Sequence, residues 1–264
     1  MTLTTDWGDR DFFAGMVKGT LCSLIPNVRV VDISHSQDNN DSRTTAETVR
    51  LACSRFPKGT VHIIDVGSDL GREPAVDPVA VAYRDMFFLS LSVKVLEMAF
   101  DEEPSRALRL AVPATLPSLS FLALDLFCPL AASITERSGI DWLTGAGFEL
   151  KPVKRLMFQS DENTIHAMVT NVDKYGNAIL NVPYESFERL RAGRSFSFEV
   201  GGGLGPDGRS ERLASLTRHY SEVRRGNMLL TVSASGYLQL ALNQASAAQL
   251  MALSPMTACT IVFH

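Results

Sequence analysis

Along the first half of the chain, short β-prone runs alternate with stretches whose apolar residues recur at helical spacing. TLTT (2–5) is a brief strand-like start, and DFFAGMVKGTLCSLI (11–25) carries its apolar residues three and four apart. VRVVDI (28–33) is a β-branched run ending at the polar SHSQDNND (34–41). TAETVRLACSRF (45–56) is a second amphipathic stretch, closed by Pro57 and Gly59. TVHIIDVG (60–67) predicts a third strand, and VAVAYRDMFFLSL (79–91) predicts one or two more. A βαβαβ order of this kind predicts an α/β architecture over roughly residues 1–150, with a mostly parallel sheet and helices on both faces.

After KPVKRLMF (151–158) the texture changes. TIHAMVTNVDKYGNAILNV, SFSFEV, MLLTVSASGYLQLAL and TACTIVFH are β-rich runs separated by Gly and polar turns. GGGLGPDG (201–208) lacks the GK[ST] ending of a phosphate-binding loop and reads as a hairpin tip. The boundary is placed near Lys151–Lys154, giving an α/β domain over 1–152 and a smaller β-rich domain over 153–264.

Composition narrows the function classes. Of 264 residues, 45 % are hydrophobic and 20 % charged, enough for a substantial core, and the net charge of −4 gives no electrostatic reason to expect nucleic acid or an anionic membrane. No apolar run approaches the roughly 18 residues of a membrane span, and the start lacks the basic-then-apolar pattern of a secretory signal, so a cytoplasmic protein is expected. Cys22, Cys53, Cys128 and Cys259 are scattered among apolar neighbours, which predicts buried thiols. With no CxxC, HExxH or HxH, no structural metal is expected.

Three acids mark strand ends: Asp6 after TLTT, Asp32 within VVDIS and Asp65 after VHII. Ligands of open α/β sheets bind beyond the carboxyl ends of the strands, where a carboxylate can accept hydrogen bonds from the vicinal hydroxyls of a ribose. Asp11, placed on the first turn of the following helix, is either a ligand group or a cap complementing the helix dipole. Asp9 is expected to be solvated. Tyr175 and Asn177 in YGN are either site residues or parts of a tight turn.

TLTTDWGDRDFFAGMVKG resembles the opening TLLTDFGxxDxYVGxMKG of the S-adenosyl-L-methionine (SAM) hydroxide adenosyltransferases, relatives of the SAM-dependent fluorinases and chlorinases. The resemblance continues in order through PNVRVVDISHSQ and FPKGTVHIIDVG. It reaches NVDKYGNAILNV, similar to HIDxFGNxxTNI, and SASGYLQLALNQASAAQLM, similar to NSxGYLEIAVNxGSAAxxL. It implies a Rossmann-like α/β domain followed by a smaller β-barrel-like domain. It also implies a homotrimer that binds SAM between the α/β domain of one subunit and the β domain of the next. Water or hydroxide then attacks the ribose C5′, releasing methionine and forming adenosine. SAM is the substrate or ligand, and no separate cofactor is implied.

Carried over by that resemblance, Asp6 holds the ribose hydroxyls, and Asp11 and Asp173 lie near the methionine ammonium. Tyr175 and Asn177 lie close to the adenine, and the backbone around Asn243 and Gln244 meets its edge. Asp65 and Arg72 match two of the three groups that orient and deprotonate water. The third is a histidine in an FHGRD-like motif, and here the stretch reads FLALDLFCP, with Leu122, Ala123 and Leu124 at the His, Gly and Arg positions.

Other departures are LSLSV (89–93) for PDNG, Asn40 for an aromatic residue, and Ala234 for a serine near the methionine carboxylate, with Ser235 beside it. A neighbouring Arg72 is expected to keep Asp65 ionised, leaving it a weak base near neutrality. The expected function is a divergent SAM hydrolase. The alternatives are a binding module for SAM or adenosine that has lost the chemistry, and a trimeric scaffold. Halogenation is not expected, because Asp65–Arg72 resembles the hydroxide branch.

Overall fold

The computed structural model describes residues 1–67, 77–116, 121–154, 157–200, 213 and 215–264, in two compact units, Met1–Lys154 and Arg155–His264. The first unit carries strands β1 (Thr2–Thr5), β2 (Val31–Ser34), β3 (Val61–Asp65), β4 (Val79–Tyr83), β5 (Met86–Ser90), β6 (Arg106–Arg109) and β7 (Ala146–Gly147). Its helices are α1 (Phe13–Leu24), α2 (Ser42–Cys53), α3 (Val93–Ala99) and α4 (Cys128–Arg137), the last entered through one π-helical turn, Ala123–Phe127. The sheet order is β2-β1-β3-β5-β4-β6-β7.

Period-two alternation in the strands feeds two separate cores. Val61, Ile63, Ala80 and Leu89 pack with Val17 and Leu21 of α1 and Ala131 and Ile134 of α4. Ile64, Val79, Val81 and Phe88 pack on the opposite face with Ala46 and Val49 of α2 and Val95 and Leu96 of α3. Helices thus cover both faces, as an α/β pattern requires.

The sheet is less parallel than the pattern predicts. β1, β2, β3 and β5 pair in parallel, but β4, β6 and β7 form an antiparallel edge. VAVAYRDMFFLSL holds two strands joined by a tight turn in which Arg84 and Asp85 both take positive φ, 50° and 58°. A two-residue turn of this kind reverses the chain and forces antiparallel pairing.

The second unit is an antiparallel, curled half-barrel sheet of order β11-β14-β9-β10-β13-β12, with β8 pairing on β9. The strands are β8 (Gln159–Ser160), β9 (Thr164–Val172), β10 (Ala178–Pro183), β11 (Phe196–Val200), β12 (Met228–Val232), β13 (Tyr237–Leu242) and β14 (Ala258–Phe263). Helices α5 (Tyr184–Arg191) and α6 (Ala247–Leu250) complete it. Its own apolar core joins Ile165, Val169, Leu180, Phe187, Phe198, Leu240 and Ile261. The GGGLGPDG stretch lies outside the described residues.

Cys53, Cys128 and Cys259 are buried, and burial pushes each thiol up to about 12. Cys22 is exposed, against expectation, because the apolar face of α1 that meets the sheet is centred on Val17 and Leu21. Among the described residues no helix is long and apolar enough to cross a membrane, and no group of His, Cys, Asp and Glu could hold a metal ion.

Candidate functional site

β1 and β3 run in parallel with Thr5 opposite Asp65, so the chain delivers Asp6 and Asp65 side by side at the carboxyl ends of two adjacent strands. Asp6 is half-buried, and its Oδ2 accepts the Gly67 amide at 3.0 Å. Gly67 sits at φ +47°, and an added Cβ there would stand 2.4 Å from the Asn39 carbonyl oxygen. Only glycine lets the β3 end approach that loop and still donate to Asp6.

Asp65 is 7 % exposed, and burial, followed by the Asp6 charge, pushes its carboxyl up to about 7. Hydrogen bonds from the Ala123 amide and the Trp7 indole oppose that rise without cancelling it. The Ala123 amide opens the π-helical turn, where a helix leaves donors without intrahelical partners. Burial and a like charge outweigh the donors that Asp65 faces. Arg72 lies outside the described residues.

Leu122, at the histidine position, is 1 % exposed, and Leu124 packs against the same core as α1 and α4. LSLSV forms the end of β5 and the start of α3, with Ser92 Oγ accepting the Val95 amide as its cap. Asn40 sits in a turn, its amide donating to Asp38 Oδ1 at 2.8 Å.

The other amino-terminal acids divide. Asp11 lies in a bend ahead of Phe12, the N-cap of α1, and not on the helix's first turn; no side chain caps that helix, so the capping reading fails. Asp11 is exposed. Asp9 is also exposed and accepts a 3.4 Å hydrogen bond from Ser36 Oγ. Asp32 is committed locally, 2.5 Å from Lys18 Nζ and 3.2 Å from His35 Nε2.

In the second unit, Asp173 organises the turn between β9 and β10. Its Oδ1 accepts the amides of Tyr175 and Asn177, both at 2.9 Å, and its Oδ2 accepts Asn177 Nδ2 at 2.8 Å. Gly176 takes φ +81° against Ser246, whose Oγ would be 1.9 Å from an added Cβ. Asn177 is buried, whereas Tyr175 is 68 % exposed with Lys174 Nζ 5.1 Å from its ring centre. Both the turn and an outward aromatic platform are therefore present.

Ser235 lies in the β12–β13 turn, 2.8 Å from Ser233 Oγ. Asn243 is held internally. Its amide donates to Asn227, its carbonyl accepts from Gly226, and Nδ2 reaches the Val223 carbonyl at 2.8 Å. Gln244 is the outward residue of that pair, exposed and at φ +58°.

Comparison with known proteins matches residues 1–143 to the SAM hydroxide adenosyltransferase N-terminal domain and residues 167–260 to the C-terminal domain of the same family. The chain belongs to the SAM hydroxide adenosyltransferase family. Among relatives of this family, the (R)-S-adenosyl-L-methionine hydrolase of Thermus thermophilus is 27 % identical over 94 % of this chain and 94 % of its own. The protein of the same name from Salinispora tropica is 27 % identical over 97 % of this chain and 94 % of its own. A solved structure of an uncharacterized conserved protein from Thermotoga maritima superposes with a TM-score of 0.80 at 21 % identity, covering 99 % of both chains, which shows the shared fold.

Within this family member, the sequence reading brings Asp6 and Asp65 together but misses the groups around them. Trp7, Gly67 and the Ala123 amide are all at the site. Trp7 could have been singled out by its place directly after a strand-end acid. Gly67 could have been noticed two residues beyond Asp65, but the Ala123 amide carries no side-chain signal at all.

Proposed function

We propose that this protein hydrolyses SAM to adenosine and L-methionine, with Asp65 as the base that activates water. The observation that carries the reading is the Asp65 carboxyl, buried beside Asp6 and pushed up to about 7, a value at which a carboxylate is a competent proton acceptor near neutrality. Relatives matched over nearly the whole chain are named (R)-S-adenosyl-L-methionine hydrolases.

In the proposed reaction the water oxygen attacks C5′ in line with the sulfonium leaving group. The C5′–S bond breaks, its electron pair goes to sulfur as neutral methionine, and the water proton passes to Asp65. The substrate's positive charge disappears in the step, so negative Asp6 and Asp65 favour binding the sulfonium, and the rate depends on alignment and on excluding bulk water. By the family resemblance Arg72 is assigned, with Asp65, to orienting the water, and Leu122 leaves the histidine's role unfilled.

Oδ2 of Asp6 accepts from Gly67, and the acceptor sites that remain on the carboxylate are assigned to the ribose hydroxyls. Asp11 and Asp173 are assigned to the methionine ammonium and Ser235 to its carboxylate. Tyr175, Asn177, Asn243 and Gln244 are assigned to the adenine, with the base stacked on the exposed Tyr175 ring. SAM is the substrate, no further cofactor enters, and a cytoplasmic homotrimer completes the site from two subunits, without nucleic acid or membrane.

The test is isothermal titration with SAM and adenosine, followed by chromatography of the cell contents. Adenosine and methionine accumulating in equal amounts, abolished in Asp6→Ala and Asp65→Asn, supports the reading. Saturable binding without product makes the chain a binding module instead.

A further inference from the structure

We propose that His35 is a positioning residue for the ribose-binding carboxylate, holding the chain on both sides of Asp6 so that its side chain is aimed before a ligand arrives. This rests on the reading of Asp6 as the acid that takes the ribose hydroxyls. Of the four residues from Thr5 to Gly8, three meet His35, and the fourth is Asp6 itself.

Strand register brings this about. β1 and β2 run in parallel with Thr4 opposite Ser34, so the next residues along, Thr5 and His35, emerge together at the carboxyl end of the sheet. His35 is 6 % exposed, and a buried imidazole needs partners for its nitrogens. Nδ1 lies 2.7 Å from Thr5 Oγ1. Nε2 lies 3.2 Å from Asp32 Oδ1, close enough for an ion pair though not aligned for a hydrogen bond. A carboxylate on that side favours the proton at Nε2, which leaves Nδ1 to accept from the Thr5 hydroxyl. Asp32 is itself held from α1 by Lys18 Nζ at 2.5 Å, so the ring is anchored to an element outside the loop it holds.

On the other side of Asp6, the Trp7 ring stacks on the imidazole, with centroids 5.9 Å apart and planes at 14°. Phe121 meets Trp7 edge-on at 5.0 Å and packs in turn against Phe13 at 5.2 Å. The Gly8 amide donates to the His35 carbonyl at 2.6 Å. With Thr5 tethered, Trp7 clamped and Gly8 bonded, the backbone of Asp6 is held from both directions. What remains free is the side chain's own torsions, and the Gly67 amide on Oδ2 restrains those. A carboxylate aimed in advance gives up little freedom when it accepts the ribose hydroxyls, so more of each hydrogen bond appears as affinity.

Two substitutions separate the hydrogen bond from the packing. His35→Phe keeps a ring for Trp7 and removes the Nδ1 acceptor. Thr5→Val removes the hydroxyl and keeps the shape of threonine, and Thr5→Ser puts a hydroxyl back. The test compares binding of adenosine and of 2′,3′-dideoxyadenosine, which lacks both ribose hydroxyls, to the intact protein by titration calorimetry. We expect the wild type to favour adenosine by about tenfold or more, the worth of one hydrogen bond to a charged acceptor. In His35→Phe and Thr5→Val the preference should fall to about twofold, with the affinity for the dideoxynucleoside changed less than about threefold. Thr5→Ser should keep most of the preference.

A residue that only packs would, when replaced, weaken both nucleosides in parallel and leave their ratio intact. That result overturns the proposal, as does a full preference in Thr5→Val, which decides the matter if His35→Phe does not fold. Asp6→Ala checks the underlying reading separately. If the wild type shows no preference, or Asp6→Ala keeps it, Asp6 does not hold the ribose and the proposal falls with that reading. If Asp6→Ala loses the preference while the Thr5 and His35 variants keep it, the proposal alone fails.

Discussion

The Gly67 amide donates to Asp6 Oδ2 at 3.0 Å, so the residue that follows β3 fixes the acid that follows β1. The two strands are already in parallel register, and this bond carries their alignment past the sheet into the site. Gly67→Ala would set a Cβ against the Asn39 carbonyl at a φ of +47°, where an L side chain is strained. We expect a loss of roughly 1–3 kcal/mol in unfolding free energy from strain and displaced backbone. Nucleoside binding should weaken with it. Urea melts alongside adenosine titrations check both, and a variant with unchanged stability would show that the loop gives way freely.

Asp65 ties stability to pH in a direction opposite to most acids. Its carboxyl holds its proton to about pH 7 in the folded protein, whereas an ordinary aspartate loses it near 3.8. Between those values the folded state binds more protons than the unfolded chain, so stability falls as pH rises through the window. Asp65→Asn removes the ionisation. Relative to this variant, the wild type should lose roughly 2–4 kcal/mol between pH 4 and pH 8. The same substitution should lower turnover about 10²–10⁴-fold. Paired urea melts at the two pH values test the sign. Parallel curves would mean that Asp65 is ionised throughout.

The strand-end acids were legible because β-branched runs such as VHII stop at them, and a parallel strand's carboxyl end is where a ligand binds. The antiparallel edge was hidden by its turn. Arg84 and Asp85 hold positive φ without the glycine or asparagine that usually announces a hairpin. Cys22 misled for a related reason. Its neighbours are apolar, yet only Val17 and Leu21 of α1 are buried. Asp65's protonation could not be read from the chain, because it depends on burial and on Asp6, a residue remote in sequence. The network around Asp173 shows another limit: the motif marks both a turn and a candidate ligand group, and sequence cannot apportion the two.

Leu122 marks where a histidine repair would be attempted, and its burial argues against success. It is 1 % exposed at the entrance to the π-helical turn. Leu122→His exchanges packed apolar volume for an imidazole whose polar atoms need partners, a cost of about 1–3 kcal/mol. Desolvation would also depress the pKa of the new imidazole. We expect lower stability in thermal melts and no gain in adenosine formation. A rise in turnover would show that the side chain reaches the reacting water.

Tyr175 and Asp173 lie two residues apart and should separate binding from folding. Asp173→Ala removes the acceptor of the Tyr175 and Asn177 amides and of Asn177 Nδ2, leaving a buried asparagine short of a partner. That variant should lose about 1–3 kcal/mol of stability. Tyr175→Ala deletes a ring that is 68 % exposed, so its unfolding free energy should change by less than about 0.5 kcal/mol. Loss of an aromatic stacking surface should nevertheless weaken SAM and adenosine binding about tenfold. Titration calorimetry and urea melts on both variants decide the matter. If Tyr175→Ala binds as tightly as wild type, the ring is not the adenine platform, and the YGN segment is a turn and nothing more.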